Sequence, residues 1–285
     1  MISYFQAIIL GAVQGITELF PISSLGHSVI LPSILGWHIN QNDNLFLVFL
    51  VATHFATALA LFIFFFKDWM LIIKGFFRSI KEKTIEQTDT YSKLAWLIIV
   101  GTIPAGILGL LLQKKIQSLI ASPLSVAIFL ILNGFLLYGA EILRRKKAET
   151  TDISSDGKIA KISFMQALKV GLAQCLALIP GFSRTGSTMG GGLLIGLNHE
   201  EAARFSFLLA TPIIFAAAIL KLPALFKSSN INTIGPILSG SIAAMIAAYL
   251  STHFLTKYFA TKKLTPFAIY CVAFGAGAFL LLYFR

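Results

Sequence analysis

A carboxylate, a hydroxyl and an imidazole lie close together near the start of this chain, as Glu18, Ser24 and His27 in the run Glu18-Leu19-Phe20-Pro21-Ile22-Ser23-Ser24-Leu25-Gly26-His27-Ser28. A second polar run, Pro180-Gly181-Phe182-Ser183-Arg184-Thr185-Gly186-Ser187-Thr188, brings an arginine among hydroxyls and glycines. A nucleophile, a base and a charge clamp are the parts that phosphoryl transfer requires. The planar guanidinium of Arg184 suits phosphate oxygens. Gln14 and Glu18 are four residues apart and share a helix face. Each Ser/Gly-rich turn leads into a helix whose first N–H groups and positive dipole end suit an anion. That places Ser23, Gly181, Ser183, Thr185, Ser187 and Thr188 as anion-binding candidates beside Glu18, Ser24, His27 and Arg184. The chain has neither a Walker A Gly-Lys-Ser/Thr here nor a Gly-x-Ser-x-Gly elbow.

The elements that must position these groups are membrane helices. Of the 285 residues, 56% are hydrophobic and only 12% charged, with mean hydropathy +0.82; soluble domains carry about 25% charged residues. Six runs are long enough to span a bilayer, near 45–66, 94–112, 124–143, 205–226, 234–255 and 265–284. Two further apolar regions, about 2–36 and 163–198, are interrupted by the polar turns and read as helix–turn–helix pairs. The start, Met1-Ile2-Ser3-Tyr4-Phe5, has no basic n-region, which argues against a removable signal peptide. The formal net charge of +11 comes from Lys and Arg gathered between apolar runs, which is a topology and lipid-surface pattern and argues against nucleic acid as a partner. Cys175 and Cys271 lie in apolar contexts without metal-ligand spacing.

The chain echoes itself. A shift of 160 residues superposes Gln6, Ala7, Gly11, Gln14, Ser23 and Gly26 on Gln166, Ala167, Gly171, Gln174, Ser183 and Gly186. Phe49-Leu50-Val51-Ala52-Thr53 resembles Phe207-Leu208-Leu209-Ala210-Thr211 in the same order. If each broken pair is re-entrant, each half crosses three times and the halves form an inverted-topology repeat, with the two turns meeting near the midplane. Under that arrangement sixteen Lys/Arg fall on one face, in 67–93, 144–162, 198–204 and 256–264, and four on the other. Positive-inside then puts both termini outside the cytoplasm. The expected fold is an all-α polytopic membrane protein, a single domain over 1–285, with repeat halves 1–143 and 163–285 joined by the basic loop 144–162.

Plainer roles compete for some residues. Ser and Gly also serve close helix packing, and Gly190-Gly191-Gly192 reads that way. Glu18 and Arg184 could form a structural ion pair, and His27 could bond a backbone carbonyl. His54, inside a span, reads as a packing histidine at least as well as a cavity group, and Glu141 as a solvated carboxylate beside Arg144 and Arg145. The segments 67–93 and 144–162 read as solvated charged loops.

Gln14-Gly15-Ile16-Thr17-Glu18, Pro21-Ile22-Ser23-Ser24-Leu25-Gly26-His27 and Pro180-Gly181-Phe182-Ser183-Arg184-Thr185-Gly186-Ser187-Thr188 closely resemble the signatures of the undecaprenyl-diphosphate phosphatase, or bacitracin-resistance, family. Ala173–Ile179, Phe205–Pro212 and Pro266–Tyr270 resemble it too, so the likeness covers essentially the whole chain. It implies a bacterial plasma-membrane enzyme that removes the terminal phosphate of a C55 polyprenyl diphosphate and so recycles the lipid carrier of cell-wall precursors. It also implies a divalent cation, Mg²⁺ or Ca²⁺, with Glu18 as a ligand, and a site that opens toward the outer, extracytoplasmic face. Gln14 stands where many members have Glu, which weakens a two-carboxylate metal site; Leu25 and Ala56 depart from the usual small residues. The expected mechanism has Arg184, Ser183 and Thr188 clamping the diphosphate, Ser24 attacking, His27 as base, and Glu18, helped by Gln14, orienting His27 or holding the metal. His27 or water as nucleophile is the variant. The alternative function is a transporter or flippase for the same anionic lipid in the bilayer. The sequence is compatible with a homo-oligomer and does not specify one.

Overall fold

The computed structural model describes residues 2–37, 39–40, 43–86, 88–112, 122–144, 154–228 and 231–284. The described residues form helices in the order α1 (Tyr4–Leu19), α2 (Ser24–Ile34), α3 (Asn44–Phe64), α4 (Phe66–Glu82), α5 (Thr90–Leu111), α6 (Pro123–Leu143), α7 (Ser155–Ile159), α8 (Phe164–Gln174), α9 (Arg184–Leu194), α10 (His199–Ser228), α11 (Ile231–Phe259) and α12 (Thr265–Tyr283). A 3₁₀ turn, Cys175–Leu178, continues α8. Six of these helices, α3, α5, α6, α10, α11 and α12, are long and apolar enough to cross a membrane, close to the spans expected from hydropathy. The chain is a multi-pass membrane protein.

Local chemistry starts and stops the short helices in the same way 160 residues apart. Ser3 and Gln6 form a reciprocal capping box at α1, with Ser3 N–H donating to Gln6 Oε1 at 3.0 Å and Gln6 N–H to Ser3 Oγ at 3.2 Å. Ser163 and Gln166 repeat it at α8, at 2.8 and 3.1 Å. Ser23 Oγ accepts from Gly26 N–H at the start of α2 (3.2 Å), and Ser183 Oγ from Gly186 N–H at α9 (3.1 Å). Both helices end at a glycine of positive φ, Gly36 (67°) and Gly196 (101°), followed by a six-residue closure, Trp37 N–H to Pro32 O and Leu197 N–H to Gly192 O.

Packing crosses between the halves. α1 lies along α11, and α8 along α5. At each crossing two glycines let the backbones touch: a Cβ on Gly11 would sit 2.0 Å from Gly240 O, and one on Gly171 would sit 2.4 Å from Gly101 O. Such small-residue contacts are what associates helices when the solvent is itself apolar. α3 and α10 pack on each other at the centre; 56% of each apolar window is buried, against 28% for α11 and 22% for α12. Gly191 and Gly192 face Ala173 and Ala202 at close range, the packing role expected of that run.

Two expectations change. The 67–86 part of the charged 67–93 segment is not a solvated loop: it holds α4, whose Trp69, Ile72, Gly75 and Ser79 are buried and which packs on α5. Glu141 is not solvated either. It is held by His199 Nε2 at 2.8 Å and by Leu264 N–H at 3.1 Å, joining α6, α10 and the start of α12. Residues 145–153 of the 144–162 loop, and 113–121, lie outside the described residues. From 154 the loop forms the short α7, whose Asp156 binds Arg204 of α10 at 2.5 and 2.8 Å.

Candidate active site

The last turn of α1 and the first turns of α2 and α9 converge on Glu18, which is 7% exposed. Its Oε1 accepts from Arg184 Nη2 at 2.8 Å. Its Oε2 accepts from Gln14 Nε2 at 3.2 Å and from the Ser24 hydroxyl in a short contact. His54 Nε2 lies 3.3 Å from the same oxygen. Gln14 and Glu18 thus share a face, as their spacing predicts. Pro21 stops α1, and Ser23, at φ 68°, turns the chain so that Ser24 opens α2 with its hydroxyl aimed back at Glu18.

The second turn closes over the first. Thr185 Oγ1 donates to the Glu18 carbonyl at 3.0 Å, and Ser183 Oγ to Phe20 O at 3.4 Å. Thr188 Oγ1 donates to the Arg184 carbonyl at 2.8 Å and lies 2.5 Å from Ser206 Oγ on α10. Gly181, at φ 107°, passes so close under α6 that a Cβ would meet Val126 O at 2.6 Å. Ser187 Oγ and Gln14 Oε1 are buried polar atoms without a hydrogen-bond partner among the described residues.

One residue that sequence reasoning missed ties the two turns together. Asn133, fully buried on α6, donates from Nδ2 to Pro21 O at 3.0 Å and accepts at Oδ1 from Ser183 N–H at 3.0 Å. A lone Asn in an apolar span is the only sequence signal for it: a polar group at that depth needs a partner.

The structure places His27 between Ser23 and Tyr270. Its Nδ1 lies 2.7 Å from Ser23 O, and its Nε2 2.7 Å from the Tyr270 hydroxyl. The ring stacks on Phe274 with centroids 4.8 Å apart. A carbonyl only accepts, so Nδ1 carries a proton directed at Ser23 O. Neither nitrogen is bonded to Ser24 or Glu18. In place of the expected Ser24–His27 pair and the orientation of His27 by Glu18, the side chain here bonds back one turn to Ser23 and docks on α12. The imidazole at the carboxylate is His54, from the middle of α3. Its Nδ1 lies 2.7 Å from Leu50 O, which turns Nε2 toward Glu18. At 26% side-chain exposure against 12% for Arg184 and 6% for Glu18, His54 is the most open of the three.

No group of three His, Cys, Asp or Glu side chains comes together to hold a metal among the described residues. The oxygen donors at the site are the Glu18 carboxylate and the unpartnered Gln14 Oε1. Oxygen donors of this kind suit a hard cation such as Mg²⁺ or Ca²⁺, while both Glu18 oxygens are engaged here by Arg184, Gln14, Ser24 and His54.

The class is thereby defined as an integral, multi-pass helical membrane protein whose two polar turns bury a Glu–Arg–Ser cluster. The chain belongs to the bacitracin resistance protein BacA family, whose profile matches residues 7–277. It is similar to the undecaprenyl-diphosphatase of Mycolicibacterium paratuberculosis, at 45% identity over 303 residues covering 100% of this chain and 99% of that protein. It is also similar to undecaprenyl-diphosphatase 2 of Burkholderia thailandensis (44% over 283 residues, 99% and 97% covered). The undecaprenyl-diphosphatase 2 of Chromobacterium violaceum is 42% identical over 279 residues, with 96% and 97% covered.

Proposed function

We propose that this protein is an undecaprenyl-diphosphate phosphatase, a membrane hydrolase that cleaves the terminal phosphate from a C55 polyprenyl diphosphate. The lipid monophosphate it yields returns to cell-wall synthesis, and the activity confers bacitracin resistance. Full-length likeness to proteins named undecaprenyl-diphosphatase carries this reading. The buried Ser24–Glu18–Arg184 contact supplies its chemistry.

For the mechanism, Glu18 Oε2 takes the Ser24 proton as the Ser24 oxygen attacks the terminal phosphorus. The bond from phosphorus to the bridging oxygen breaks, and the lipid monophosphate leaves. Water then attacks the phosphoserine, releasing inorganic phosphate and restoring the Ser24 hydroxyl. Arg184 faces the equatorial oxygens, with the Ser187 hydroxyl and the free N–H groups of the first turn of α9 beside it. His54 holds Glu18 in place from the open side. A divalent cation would be held by Glu18 and Gln14 Oε1; bound there it would neutralise phosphate charge.

Topology completes the reading. α1–α2 and α8–α9 are re-entrant pairs of one membrane domain with an inverted repeat. Supporting this are the recurrence of caps 160 residues apart and the crosswise packing of α1 on α11 and α8 on α5. With sixteen loop Lys/Arg on the cytoplasmic face, both termini and the site's mouth are extracytoplasmic, in the plasma membrane. The test of function is inorganic phosphate release from undecaprenyl diphosphate by the detergent-purified protein, with Mg²⁺ and with chelator. Release is expected; its lack from folded protein overturns the reading.

A further inference from the structure

We propose that the face of α4, together with the chain that follows it, is a binding site for an anionic phospholipid, separate from the active site. α4 carries three different sides. Ile72, Gly75 and Ser79 face α5, where Ser92 Oγ donates to Gly75 O at 2.7 Å and Trp96 Nε1 to Ser79 Oγ at 2.9 Å. Ile73, Phe77 and Ile80, at positions i, i+4 and i+7, form a second side and are 38, 63 and 50% exposed. Lys74, Arg78 and Lys81 repeat the same spacing on the third side. A helix with one packed, one oily and one basic side is neither a span nor a solvated helix; it lies in the interface.

At the end of α4 a cavity of about 480 Å³ is lined by Ser79 and Ile80 of the helix, by Lys83, Thr84 and Ile85 of the chain that follows, and by Trp96 of α5. Lys83 closes α4 in the left-handed region (φ 53°), which carries its side chain past the helix end. Arg78 is engaged by Asp89, at 2.8 Å from Nε and 2.5 Å from Nη2. No carboxylate pairs with Lys74, Lys81 or Lys83 among the described residues. Lys83 beside an indole, with Lys74 and Lys81 on the helix side next to the exposed apolar ridge, matches an anionic headgroup with its acyl chains. Each such lysine adds about five-fold to affinity for an anionic surface.

The test uses the full chain with Trp96 as its sole tryptophan, made by Trp37→Phe and Trp69→Phe, in vesicles of phosphatidylcholine with brominated phosphatidylglycerol or brominated phosphatidylcholine. The brominated phosphatidylglycerol is expected to quench Trp96 at a several-fold lower mole fraction, and Lys81→Gln with Lys83→Gln should remove the difference. Equal quenching by the two lipids, or a preference that survives both substitutions, would overturn the site. Should the tryptophan replacements unfold the chain, native mass spectrometry of the protein with its tryptophans intact gives the same comparison. Retained phosphatidylglycerol, lost in the lysine variants, supports the site; equal retention of both lipids contradicts it.

Discussion

Glu18 and Arg184 stand 166 residues apart in the chain and 2.8 Å apart in space, one contributed by each polar turn. A buried pair of this kind is costly to break from one side, about 3–5 kcal/mol, so loss of activity in a single variant does not separate chemistry from stability. The double exchange Glu18→Arg with Arg184→Glu does. An ion pair that merely holds the turns would be rescued by the exchange. A carboxylate that must face Ser24 and a guanidinium that must face phosphate would not. We expect each single variant and the exchange to lose at least about 100-fold in turnover, measured on protein that elutes as folded.

Ser24 donates to Glu18 Oε2, the arrangement of a nucleophile with its base. Ser24→Ala should abolish turnover while leaving the melting temperature within a few degrees. Acid quench of the wild type with terminally ³²P-labelled substrate should leave label on the peptide containing Ser24. Label on a His27 peptide would replace this account with the histidine variant.

His27 and Tyr270 share a 2.7 Å hydrogen bond and a stacked contact. In the proposed mechanism His27 positions the first turn of α2. Its replacement should lower stability by about 1–3 kcal/mol through unsatisfied buried partners and lower activity with it. Tyr270→Phe should move both in the same direction. A His27 variant with unchanged melting temperature and lost turnover, beside a fully active Tyr270→Phe, would return His27 to the role of base. His54→Leu, by contrast, should cut turnover by about 100-fold, with His54→Gln recovering part of it.

Asn133 reaches one polar turn with each end of its amide. Asn133→Leu leaves the Ser183 N–H unpaired, at about 1–3 kcal/mol, and leaves the Pro21 carbonyl only the long contact with the Cys271 thiol at 3.9 Å. Thermal unfolding should show that loss, and turnover should fall with KM rising, because the two turns lose their mutual register. Asn133→Asp keeps the acceptor for Ser183 and should fall between.

Gly11→Ala and Gly171→Ala place a methyl into backbone at 2.0 and 2.4 Å, and backbone cannot swing aside. Both should yield poorly folded protein. Gly139→Ala, with nothing within 4 Å of its new carbon, should be neutral or add about 0.5–1 kcal/mol.

Much of this was legible in residue order. Spans of about twenty apolar residues announce themselves, and Pro21, Ser23 and Ser183 mark the helix breaks by local chemistry. The Gln14–Glu18 pair followed from helical spacing alone. What was not legible depends on contacts between distant helices. His27 and His54 are both histidines in apolar surroundings; only packing decides that one turns to Tyr270 and the other to Glu18. Asn133 meets its partners across 112 and 50 residues. α4 was hidden by its charges: the apolar side at Ile73, Phe77 and Ile80 has helical spacing, but interleaved lysines lower the mean hydropathy to that of a loop.

The central claim, that the two turns form one phosphatase site, is tested most directly by single-turnover phosphate release from undecaprenyl diphosphate. Wild type, Arg184→Ala and Ser24→Ala would be run side by side as folded, detergent-purified protein. The account predicts release by the wild type and none above background from either variant, one from each turn. Release at the wild-type rate by Arg184→Ala or by Ser24→Ala would contradict it.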